Sequence, residues 1–144
     1  MTITLNSFSP NTKIKSADIN TNFQNLSDHI RPTFVFTLDQ YLSVGANQTP
    51  VLIVPLPYTI EKVYAIVKTA PVGAAIICDI QKNGTSIWTT QANRVTIAAG
   101  ATTATPVTAF DTTALVEGDQ LTLDIDQVGS TTAGTSLTVL IKCS

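Results

Sequence analysis

The 144-residue sequence predicts a mainly β protein, an antiparallel β-sandwich or jelly roll, preceded by a short N-terminal α-helical arm. Three observations carry that expectation. Past residue 32, apolar residues recur at every second position in short runs separated by turn residues. Threonine, a β-branched residue suited to half-exposed strands, occurs 24 times. The helical period is confined to the start of the chain. Two parts follow: an arm, residues 1–32, for anchoring or trimerisation, and a β body, residues 33–144.

In the arm, Ser16 is the expected N-cap and Asp18 places a carboxylate in the first turn, where unpaired amides and the helix dipole favour it. A helix is expected over residues 17–30. Its apolar positions Ile19, Phe23, Leu26 and Ile30 are spaced four, three and four, the pattern of a coiled-coil seam. The opposite side, with Asn20, Thr21, Gln24, Asn25 and Asp28, is polar. About 14 residues make a marginal helix in water, so this stripe must pack on the protein's own body, on further copies, or on another protein.

Strands are expected from Phe34–Thr37 and Val51–Val54, then from Ile60–Val67 and Ala74–Gln81. Lys82-Asn83-Gly84-Thr85 is the strongest turn signal, because Asn-Gly readily takes the two positive φ angles of a type I′ hairpin. It should join residues 74–81 to a strand over Ser86–Thr89. Val95–Ala98, Thr105–Phe110, Gln120–Gln127 and Ser136–Lys142 complete a series of eight to ten strands. In the last two, Leu121, Leu123 and Ile125, and Leu137, Val139, Ile141 and Cys143, are expected to face inward, while Thr122, Asp124 and Asp126 face water.

Composition narrows the function. Charged residues are 12% of the chain, about half the usual share, and mean hydropathy is +0.25. Burial against copies of itself is a natural way to cover such a surface. The eight basic residues are scattered and the net charge is −2, which disfavours nucleic-acid binding. Apolar runs are strand-length, so no membrane span is expected. The first residues lack a signal-peptide pattern, and synthesis in a cytoplasm is the expectation.

No chemistry announces itself, so an enzyme is not expected, nor a cofactor or metal. The lone histidine, His29, fits a helix C-terminal position better than a catalytic one. Asp124 and Asp126, with Asp119 close by, could in principle join a Ca²⁺ site, but acids on a strand lack the oxygen-rich loop such sites use. A solvated polar face is the better reading. Trp88, Tyr41, Tyr58 and Tyr64 could stack on a sugar, although core packing and subunit contact suit so few aromatics better. Cys78 and Cys143 have no metal-knuckle spacing and read as buried free thiols.

The segment from Phe8-Ser9-Pro10-Asn11-Thr12-Lys13-Ile14-Lys15 through Ser16-Ala17-Asp18-Ile19-Asn20-Thr21-Asn22-Phe23-Gln24-Asn25-Leu26 resembles the N-terminal stretch of many tailed-bacteriophage virion proteins. There an extended lead precedes Ser-Ala and an Ile-Asn-x-Asn-Phe helix. The stretches Lys82-Asn83-Gly84, Glu117-Gly118-Asp119-Gln120-Leu121 and Leu137-Thr138-Val139-Leu140-Ile141 look like phage jelly-roll domains. What the resemblance implies is a homotrimer on the virion surface, made in the host cytoplasm. Its arm would contact copies of itself and the major capsid protein, or another virion protein, through Phe8, Ile14, Ile19, Phe23, Leu26 and Ile30. Capsid decoration suits a short chain without a repetitive shaft. The alternative is a short fibre or spike that binds a host receptor or surface glycan, with residues 39–49 and 89–94 as candidate loops.

Overall fold

A computed structural model of the protein describes residues 5–7, 15–27 and 31–144. One helix, α1 (Ser16–Ser27), is followed by β1 (Thr33–Tyr41), β2 (Leu52–Ile53), β3 (Tyr58–Thr69), β4 (Ile76–Lys82) and β5 (Thr85–Ser86). A 3-10 turn at Gln91–Asn93 leads to β6 (Val95–Ile97), β7 (Ala114–Leu115), β8 (Gln120–Gln127) and β9 (Thr135–Cys143). All strand pairs are antiparallel, in two sheets ordered β1-β9-β3-β7 and β2-β8-β4-β5, with β6 also on β4.

The order is that of a long hairpin rolled up. β4 pairs β5 at the tip, and then β3 pairs β7, β2 pairs β8 and β1 pairs β9. Rolling this ribbon brings β9 beside β3 and β8 beside β4. That topology is a jelly roll, a form of β-sandwich. At the tip, Asn83 and Gly84 have φ of 52° and 78°, the two positive values that the Asn-Gly pair was expected to supply.

Alternation decides the core. Val63, Ala65 and Val67 of β3 and Leu137, Val139 and Ile141 of β9 are buried, and they face Ile76, Cys78 and Ile80 of β4 and Leu121, Leu123 and Ile125 of β8. Cys143 is buried at the end of β9, and both cysteines are free thiols. Burial pushes the thiol of Cys78 up to about 12 and that of Cys143 to about 11.

Several expectations shift. The Lys15 carbonyl accepts the Asp18 and Ile19 amides at 3.1 and 3.4 Å, so the capping position falls on Lys15 and Ser16 lies within the first turn. Phe8, Ile14, Asp28, His29 and Ile30 lie outside the described residues. Residues 105–110 form no strand. Pro106 lacks an amide, and only the reciprocal bridge of Val107 with Val63 runs along β3 there. The strand expected over residues 86–89 stops at Ser86, because Ile87 and Trp88 turn into the core. Val51–Val54 shrinks to the two residues of β2, with Val54 buried beneath them in sequence.

Candidate functional site

The arm's geometry starts from one side chain. Asn22 accepts the Asn6 amide at 2.6 Å through Oδ1 and donates from Nδ2 to the Asn6 carbonyl at 3.0 Å. It thus reads both polar groups of one peptide residue, as a neighbouring strand would. Asn6 Nδ2 also donates to the Asp18 carbonyl at 3.4 Å. Residues 5–7 are thereby held along α1, and Leu5 closes one side of an apolar groove of about 300 Å³ with Ile19, Phe23 and Leu26. The sequence pattern brought these three together as expected, but it gave no sign of Leu5 or of the Asn6–Asn22 clip.

The groove remains open. Phe23 is 68% exposed, Leu26 46% and Ile19 38%. Among the described residues, no strand of the body packs along α1. Helix formation has therefore gathered an apolar stripe without covering it.

Where the chain enters the body, Arg31 pairs with Glu61, whose other oxygen lies 3.1 Å from Lys142 Nζ. The pairing is made possible by a bulge. β3 fits Ile60 opposite Cys143 and Lys62 opposite Lys142, which leaves Glu61 as an extra residue turned outward. The hydrogen bonds from Lys142 and then Arg31 hold the Glu61 carboxyl below its usual range. Next to them the Cys143 amide donates to the Pro32 carbonyl at 3.0 Å.

Sheet direction places the loops at two ends. The arm joins at the end holding residues 54–57, 83–84 and 116–119, where Asp119 accepts the Val116 amide at 2.9 Å and the Asn83 side chain at 2.7 Å. Those bonds hold the Asp119 carboxyl below its ordinary 3.8. Residues 42–44, 70–75, 98–103 and 128–134 lie at the far end, tied by Leu42–Gly134, Val72–Thr132 and Gly100–Pro71 backbone bonds, while residues 45–51 run back along β8, with Gly45 bonded to Ile125 and Gln48 to Leu123. None of these four far loops carries a charged residue. Residues 39–49 reach this end, whereas residues 89–94 lie beside the middle of β4.

The paired acids are engaged by the protein itself. Arg94 reaches Asp79 at 2.9 Å and Asp126 at 2.6 Å, and Asp124 accepts the Asn47 amide at 2.7 Å. The solvated polar face expected for Asp124 and Asp126 is thus a bonded surface, since residues 46–48 and Arg94 fold over it. Asp79 is buried although it sits on the outward side of β4, and it also accepts from Ser86 and Gln81. Burial raises its carboxyl above the ordinary value despite Ser86 and Arg94. The aromatics divide. Trp88 is core, donating from Nε1 to the Ala109 carbonyl at 2.9 Å and packing on Phe110 at 5.6 Å. Tyr58 meets Phe34 edge-on, Tyr41 is exposed at the far end, and Tyr64 lies on the outer face of the first sheet. Among the described residues no helix is long and apolar enough to cross a membrane. No family model matches the sequence, and no curated protein matches it.

Proposed function

We propose that the protein is a structural component of a tailed-bacteriophage virion, a homotrimeric surface protein that decorates and stabilises the capsid and is attached through its arm. The observation that carries this reading is the uncovered stripe of Ile19, Phe23 and Leu26 on a helix too short to persist alone. Each large apolar side chain that goes from exposed to buried contributes about 1.5–3 kcal/mol. Three copies meeting along this stripe, or one copy seated on a capsid protein, recover that energy. The resemblance of residues 8–26 to virion arms supports the same reading, as does a body whose core is complete without the arm.

The test is the double substitution Phe23→Asp and Leu26→Asp. The expected result is loss of the trimer by light scattering and of incorporation into particles, with the β body still folded. A double variant that keeps the parent's mass and incorporates normally would overturn the assignment.

A second reading, a short fibre or spike that binds a host surface glycan, is favoured by the far loops, which are uncharged and rich in hydroxyls and stand at the opposite end from the arm. Copy number separates the two. Hundreds per particle fit decoration, and a few tens fit a spike.

A further inference from the structure

The outer edges of the two sheets differ. β7, β2, β5 and β6 are two or three residues long, and short edges offer little to a stray strand. β1 is nine residues long, lies outermost in its sheet, and pairs only with β9. It contains no lysine and no proline, and its pairing is regular from Thr33 to Leu38. Natural proteins usually block such an edge.

Parity tells which backbone groups are open. The Cys143 amide donates to the Pro32 carbonyl, so in this antiparallel ladder the even residues of β1 turn their polar groups toward β9. The odd residues Thr33, Val35 and Thr37 turn theirs away. The same rule holds on β3, where Val63, Ala65 and Val67 bond away from β9 to Val107, Ala104 and Thr102. On β1 nothing takes that place among the described residues. Beside the edge runs a groove of about 190 Å³ that includes Thr49, whose buried hydroxyl has no partner among the described residues.

The sequence of this edge is Thr33-Phe34-Val35-Phe36-Thr37, which reads the same in both directions. From this self-complementarity we infer that β1 pairs antiparallel with β1 of a second copy about a two-fold axis through Val35. Val35 then meets Val35, and Thr33 meets Thr37. Because these are the residues with outward amides and carbonyls, both pairs are hydrogen-bonded and the ladder closes without an orphan group. Residues with any other centre of symmetry lose either the parity or the matched side chains. The contact is isologous and uses a surface separate from the arm, so a three-fold contact through α1 and a two-fold contact through β1 hold simultaneously and join one trimer to the next.

Cross-linking of the full chain tests register as well as contact. Cα atoms of a hydrogen-bonded pair stand about 5.5 Å apart, within disulfide range. Thr33 of one copy lies about 14 Å from Thr33 of the other in this register, four residues along the strand. Cys78 and Cys143 are buried and do not compete. An equimolar mixture of Thr33→Cys and Thr37→Cys chains, mildly oxidised, is expected to give at least ten times more covalent dimer than either chain alone. The same yield is expected when both chains also carry Phe23→Asp and Leu26→Asp. Equal yields from single and mixed samples, or no dimer, would overturn the pairing. So would loss of the cross-link in the arm variants, since the edge contact would then be a by-product of assembly through α1.

Discussion

Phe36 and Phe23 are the same residue with opposite fates: the first is 2% exposed in the body and the second 68% exposed in the arm. The difference lies in what each region can do alone. The body has two sheets, so every inward side chain of one finds a neighbour in the other, and the jelly-roll order joins its first strand to its last. Among the described residues the arm has one short helix and a clipped segment, residues 5–7, enough to sort apolar from polar but not to enclose anything. Core residues of the body are therefore expected to act through stability, and the exposed apolar residues of the arm through association.

The largest test of that division is Trp88→Ala. It empties a large buried site and removes the bond to Ala109, and it is expected to lower body stability by about 3–5 kcal/mol in denaturant titrations. Association should fail only under conditions where the body unfolds. Arg94→Met comes next. It leaves Asp79 buried without its cation, a loss of about 3–5 kcal/mol. Asp79→Asn in the same chain should recover part of it, because the stranded charge is gone.

Acid gives a smaller effect, with signs that separate the carboxylates. Asp119 and Glu61 have lowered values, so their contribution is present above the ordinary 3.8 and 4.5 and is lost as pH falls through the lowered ones. Asp79 is raised, so it favours the fold at low pH and that contribution declines as pH climbs from 3.8 through its raised value. Melting temperature is expected to drop on acidification below pH 4, and Asp119→Asn should flatten this limb. The smallest effect on melting belongs to Phe23→Asp with Leu26→Asp, within about 0.5 kcal/mol for an exposed site, while trimer formation through α1 is expected to be lost. A large fall in body stability there would erase the contrast between the regions.

Local patterns were legible in the sequence. The Asn83-Gly84 hairpin, the alternation in β8 and β9, and the apolar stripe of α1 each follow from residues within one turn or one strand of each other. What escaped depends on distant partners. Nothing around Glu61 signals a bulge, since its cause is the fit of Lys62 against Lys142. Arg94 lies 15 positions from Asp79 and 32 from Asp126, and only the folded sheets bring the three together. Leu5 and Asn22 have no shared period, and the outermost position of β1 is a property of strand order, which no local pattern encodes.

The join at Pro32 also fixes how tension enters the molecule. A pull on the arm arrives at the first residue of an edge strand held on one side only, where the Arg31–Glu61 pair and the Pro32–Cys143 bond stand first in line. Those bonds break in succession, like a zipper, so a steady tug peels β1 from β9 at a force far below the one needed to shear the sheet. A strand from another molecule laid on the open side would double the row that must be undone.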